Sequence, residues 1–153
     1  MKHPFLLIFT FLYSFISASS CGKGNDILNE TNNHPMVNQK IKITVNSQYF
    51  TATLLDNESA KAFREMLPMT INMIELNGNE KYFDLPSSLP TNAVTSNNIK
   101  VGDLSLYGNK VLVLFYKSFH TSYSYTKLGY VDNPEALAEA LGNGNVVVTF
   151  EKN

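Results

Sequence analysis

From Lys40 onward, hydrophobic and polar residues alternate with a period of two. Ile41, Ile43 and Val45 fall on one side and Lys40, Lys42 and Thr44 on the other, which predicts a half-buried strand. Asn46-Ser47 predicts a turn into a second strand, Gln48 to Leu55, with Phe50, Ala52 and Leu54 facing in and Tyr49, Thr51 and Thr53 facing out. The period then becomes helical, because Ala60, Phe63 and Leu67 recur at helical spacing. Asp56 and Asn57 each offer an acceptor to the free amides at the helix start, and Pro68 ends the run. Met69 to Leu76, the turn Asn77-Gly78, and Glu80 to Leu85 predict a second hairpin. Pro86 and Pro90 flank a bend, and Thr91 to Asn98 reads as polar loop.

Val101 to Tyr107, a Gly108-Asn109 turn and Val111 to Tyr116 predict a third hairpin. Its second arm is apolar throughout, as expected of a central strand buried on both faces. Lys127 to Val131 gives a seventh strand. Asn133 as cap and Pro134 at the first helical position then open a helix in which Leu137, Ala140 and Leu141 share a face, closed by Gly142. Val146 to Phe150 is the eighth strand. The order ββα, βββββ, α, β describes a mainly β domain, and eight strands are about the number that closes into a barrel filled by side chains. Closure removes exposed edges. Phe63 and Leu67 would then plug one mouth of the barrel, and Leu137 and Leu141 the other.

Several strings fit this order: Ala60-Lys61-Ala62-Phe63 with Leu67-Pro68; Tyr82-Phe83-Asp84-Leu85-Pro86 with Leu89-Pro90; Val101-Gly102-Asp103-Leu104; Leu112-Val113-Leu114-Phe115-Tyr116; and Ser122 to Gly129. Together they resemble the cyclophilin-like domains carried by bacterial lipoproteins, over about Lys40 to Glu151. The resemblance implies a closed eight-stranded cyclophilin-like β-barrel with two capping α-helices. It implies an activity only weakly, since one fold hosts unrelated functions. Prolyl isomerases of the cyclophilin type use an arginine on the third or fourth strand, a glutamine and an apolar pocket; the arginine donates to the imide nitrogen and lowers a barrier of ~18–20 kcal/mol. Met69 to Leu85 contains no arginine, Arg64 falls on the first helix, and Gln39 and Gln48 lie elsewhere. The expectation is therefore a ligand- or protein-binding module with no catalytic residue assigned, and peptidyl-prolyl cis-trans isomerase as the alternative.

Ahead of the domain, Lys2 precedes an apolar run from Phe5 to Ile16, followed by Ala18-Ser19-Ser20 and Cys21. The run fits the ~7–15 residues of a secretory core and falls short of the ~20 that a spanning helix needs. Residues 1–20 read as a signal peptide. The small residues before Cys21 resemble the lipobox of bacterial lipoproteins, which makes Cys21 the lipidation site and residues 21–39 a flexible, polar tether. Ala18 stands where that pattern carries Leu, so ordinary cleavage with a free Cys21 is the alternative. The expected partner is a membrane, held through the N-terminal lipid at ~0.8 kcal/mol per buried methylene. The expected place is the bacterial cell envelope, facing the periplasm, since Gly22 and Lys23 follow Cys21 rather than acidic residues.

Charge and composition narrow the chemistry. Twelve Lys and Arg against thirteen Asp and Glu, with one scattered arginine, provide no basic stripe for nucleic acid. A single cysteine rules out an internal disulfide and a thiolate metal site, and His34 and His120 lack partners at ligand spacing, so neither metal nor cofactor is expected.

The segment Phe115 to Tyr130 has the best claim to a site. It concentrates Phe119, Tyr123 and Tyr125 with serines, threonines and His120, the only histidine of the predicted domain. Tyrosine combines apolar area with a polar tip. Tyr123 and Tyr125 fall on one side of an alternating stretch, and we expect them to form a wall for a small ligand or peptide, with Tyr82, Tyr107 and Asp103 as neighbours. Aromatics at this spacing also serve as barrel core or outer skin. His120, with an ordinary pKa of ~6.5, suits a general base, yet no Gly-x-Ser-x-Gly frame surrounds any serine. Asp84 and Asp103 are expected either to approach one another or to act as turn-stabilising acceptors.

Overall fold

A computed structural model of the protein describes residues 39–153. The stretch read as a signal peptide, the expected lipidation site Cys21 and the expected tether up to residue 38 lie outside the described residues. The elements in chain order are β1 (Lys40–Val45), β2 (Gln48–Leu54), α1 (Glu58–Glu65), β3 (Met69–Leu76), β4 (Glu80–Asp84), β5 (Val94–Thr95), β6 (Asn98–Ile99), β7 (Asp103–Tyr107), β8 (Val111–Phe115), β9 (Phe119–His120), β10 (Ser124–Val131), α2 (Leu137–Leu141) and β11 (Val146–Lys152).

Eight of these strands run around a closed antiparallel sheet in the order β2-β1-β11-β3-β4-β8-β7-β10, and β10 returns to pair with β2. The domain is the mainly β barrel with two helices expected from the pattern. Closure depends on a bulge. Pairing between β10 and β7 shifts between Lys127 and Gly129, which leaves Leu128 in the core and sets Gly129 opposite Leu54 of β2. A Cβ on Gly129 would stand 2.3 Å from the Thr53 carbonyl oxygen, so only a residue without one lets the two backbones meet.

The alternation read in the sequence sorts side chains between two cores. Ile41, Ile43, Leu104, Leu106, Leu112, Leu114, Val148 and Phe150 fill the barrel. Val113 and Phe115, on the opposite face of β8, join Ile99 and Tyr125 in a smaller cluster outside it. That double burial explains why β8 is apolar at every position. The helix α1 links the end of β2 to the start of β3, and α2 links the end of β10 to the start of β11, so the two sit at opposite ends of the barrel. Asn57 caps α1 by accepting from the Ala60 amide at 2.8 Å, and Phe63 meets Phe150 edge-on at 5.8 Å.

At the α2 end the barrel is closed by a polar assembly. Lys81 is 0% exposed; it pairs with Glu75 and donates to the carbonyls of Gly142 at 2.8 Å and Gly144 at 2.7 Å. The Tyr116 hydroxyl donates to Glu75 at 2.8 Å, and the Gly78 amide donates to the same carboxylate at 2.8 Å. This ties β3, β4 and β8 to the loop after α2.

Two local expectations differ from what is seen. The second helix begins at Leu137, with Ala136 at its N-cap and no side-chain cap bond, rather than at Pro134. The Leu137 amide bonds to the Pro134 carbonyl at 3.0 Å, so Asn133 and Pro134 form a turn, and burial of Leu137, Ala140 and Leu141 holds the short helix. The stretch 91–98, expected as loop, contributes β5, and the ladder of β6 with β9 begins at its last residue.

Candidate functional site

Alternation along β4, β8, β7 and β10 puts Glu80 and Tyr82, Val111 and Val113, Tyr107, and Tyr125 on the outer wall of the barrel. Two segments stand over this wall. One is the β3–β4 turn, where Asn77 and Gly78 take positive φ values of 56° and 68°. The other is Phe119–Tyr123, held by the pairing of Asn98 with His120 and Ile99 with Phe119. Between them lies a cavity of about 520 Å3, within the usual size range of small-molecule sites.

The structure brings six of the seven sequence candidates into the lining: Tyr82, Tyr107, Phe119, His120, Tyr123 and Tyr125. Tyr107 is the hub of the tyrosines, with ring centroids 6.0 Å from Tyr123 and 5.7 Å from Tyr125. Phe115 backs the floor, 5.3 Å from Tyr125 and 5.7 Å from Phe119. The His120 Nδ1 lies 3.1 Å from the Asn97 carbonyl, which orients the ring. Asp103 is not part of the lining. It is buried beside β10, pairs with Lys127 at 2.8 Å and accepts from the Lys100 amide at 3.1 Å, the turn-stabilising role weighed for it. Asp84 lies level with Val111 and Tyr107, four positions along β7 from Asp103, so the two carboxylates do not meet.

Sequence reasoning missed Glu80, Asn79, Leu76, Asn77, Thr121 and the two valines of the lining. The signal for Glu80 was present, since it shares a strand face with Tyr82 in the run Glu80-Lys81-Tyr82. Glu80 is only 8% exposed, and among the described residues its carboxylate has no hydrogen-bond or ion-pair partner. Burial, and then the charge of Glu75, push its carboxyl above the usual 4.5. Its contribution to stability is thus fully present below pH 4.5 and is lost as pH rises through the raised value.

Two tyrosines feel these carboxylates. Burial, then the bond to Glu75, pushes Tyr116 up to about 12; burial, then the charge of Glu80, pushes Tyr125 up to about 12. Both folded values exceed 10.0, so the stability they supply is intact below pH 10 and is lost between 10 and about 12. Spectrophotometric titration of the parent against Tyr116→Phe and Tyr125→Phe should show each substitution removing one late phenolate step. A late step that survives both substitutions would contradict this.

Among the described residues the lining contains no arginine; Arg64 lies on α1 beside a second, smaller depression of about 170 Å3. Nor do three or more His, Cys, Asp or Glu side chains converge there in a way that suits a metal ion.

A closed eight-stranded barrel with helices at both ends and an aromatic recess on its outer wall defines a class of small β domains rather than one activity. The chain matches the cyclophilin-like family over residues 43–151, and it belongs to that family. A hypothetical protein from Archaeoglobus fulgidus, known from its solution structure, superposes with a TM-score of 0.54 at 17% identity, covering 79% of this chain and 99% of that one. That likeness is one of fold. Among curated proteins no sequence matches the chain.

Proposed function

We propose that the protein is an envelope lipoprotein whose cyclophilin-like domain binds a small, largely apolar ligand in the recess between the β3–β4 turn and Phe119–Tyr123. The observation that carries this reading is the cavity itself, with four tyrosines and a phenylalanine around about 520 Å3. Aromatic walls suit a ligand with a flat apolar part, and tyrosine hydroxyls and the His120 ring supply polar contacts at the rim. The N-terminal pattern, Phe5–Ile16 followed by Ala18-Ser19-Ser20-Cys21, supports export and lipid anchoring on the periplasmic side of a membrane. Metabolic labelling with a fatty acid, in the parent but not in Cys21→Ser, checks the anchor.

Ligand binding is tested by NMR shift mapping with a panel of small neutral and charged aromatic compounds. The expected outcome is perturbation confined to Val113, Phe119 and Tyr125 and their neighbours. Tyr123 is 61% exposed, so Tyr123→Ala should fold normally while weakening binding about tenfold. Shifts mapping to another surface, or binding indifferent to Tyr123→Ala, would overturn the reading.

A further inference from the structure

We propose that this cavity selects a ligand bearing a positively charged nitrogen, an ammonium or guanidinium group, with the Glu80 carboxylate as its counter-ion. The inference rests on the reading of the recess as a ligand site and adds the charge of its occupant.

Glu80 is the only carboxylate of the lining among the described residues, and no lysine or arginine accompanies it there. It is more than nine-tenths buried and without a polar partner. A buried carboxylate in that state is costly, and natural sites retain one where something else completes it. The lysines nearby are committed elsewhere. Lys81, next in sequence, points to the opposite face of β4 and is held by Glu75, Gly142 and Gly144. Lys127 pairs with Asp103, and Lys117 lies over the outer ring of Tyr116, 5.9 Å from its centroid.

The residue preceding Glu80 carries a second acceptor without a partner. Asn79 also lines the cavity, and its side-chain oxygen is buried with no partner among the described residues. Its backbone is fixed, the carbonyl accepting from the Tyr116 amide at 3.0 Å. Acceptors on two consecutive lining residues suit a donor with several N–H groups. The surrounding rings of Tyr82, Tyr107 and Tyr125 add faces that attract cations in a desolvated site. Carboxylate, amide oxygen and aromatic faces therefore favour the same charge. A free amine and a lysine side chain share this chemistry.

Titration calorimetry with 2-phenylethylammonium, its neutral counterpart 2-phenylethanol and Nα-acetyl-lysine methylamide tests the proposal. The ammonium should bind at least about tenfold tighter than the alcohol, and Glu80→Gln should remove that difference. Tighter binding of the lysine derivative than of the free amine would assign the cation to a peptide. Glu80→Gln should also leave the thermal midpoint of the free protein unchanged or raise it, since the lost charge had no partner. Equal affinities for ammonium and alcohol, or a midpoint lowered by Glu80→Gln, would overturn the charge selection and leave the ligand site standing. Absence of binding by all three at the cavity would overturn both.

Discussion

Replacing Glu75 with Ala lowers folding stability by about 3–5 kcal/mol, because it leaves the Lys81 ammonium inside the barrel with two carbonyls and the Tyr116 ring but no anion. Denaturant unfolding checks the value, and the decisive comparison is a double-mutant cycle. Lys81→Met alone removes the cation but leaves the Gly142 and Gly144 carbonyls and the Glu75 carboxylate short of a donor. Glu75→Ala with Lys81→Met should cost less than the two single changes added together, since a paired removal leaves neither charge uncompensated. Strict additivity would show that the two do not act as a unit. Acid should probe the same assembly. Burial pushes the Glu75 carboxyl up, but bonds from Lys81, Tyr116 and the Gly78 amide outweigh it and hold it below 4.5. Its stabilisation is present above pH 4.5 and is lost as pH falls through the folded value.

The second large effect is expected at Gly129. A methyl group there would meet the Thr53 carbonyl oxygen at 2.3 Å and the Leu54 Cα at 3.0 Å, both backbone atoms that no rotamer change can move aside. Gly129→Ala should therefore cost about 3 kcal/mol, the upper part of the range for overpacked sites. It strikes the seam where β10 returns to β2, joined by Gly129 with Leu54, Tyr130 with Thr53 and Val131 with Ala52. If the seam opens in the folded state, the denaturant m-value should fall along with the midpoint, because less surface remains to be exposed. An unchanged midpoint would mean that β2 and β10 separate without penalty.

Strand alternation made most of this barrel legible. Ile41, Ile43 and Val45 face the core as the period of two requires, and the uniform apolarity of Val111–Phe115 marked a strand with a core on each side. Closure itself was an argument from strand number. The bulge at Leu128 that makes it possible has no local signature, because a one-residue register shift shows only when a partner strand is in place. The two-residue strands β5, β6 and β9 escaped for the same reason. They are ladders imposed by tertiary contact, such as the Thr95 and Ser124 hydroxyls 3.1 Å apart, and are too short to carry a period. Near the cavity, the tyrosines announced themselves by density in one segment. Glu80 was marked only by the strand face it shares with Tyr82, and Lys81 not at all, because two adjacent charges after a turn read as surface, whereas a strand sends one outward and the next inward. Nothing local could have shown that Lys81 finds its acceptors at Gly142 and Gly144, more than sixty positions away in the chain.

The place of β11 in the sheet bears on how the domain comes into being. Val146–Lys152 inserts between β1 and β3, both made much earlier in the chain. Until it arrives, the hairpin of β1 and β2 has no neighbour linking it to β3, and the interior cannot be sealed from water. Assembly is consequently a late and concerted event, dominated by pairings between distant stretches, which is the regime of slow folding. A polypeptide built this way can pair its local hairpins as they are made, but its barrel locks only after its eleventh strand has emerged.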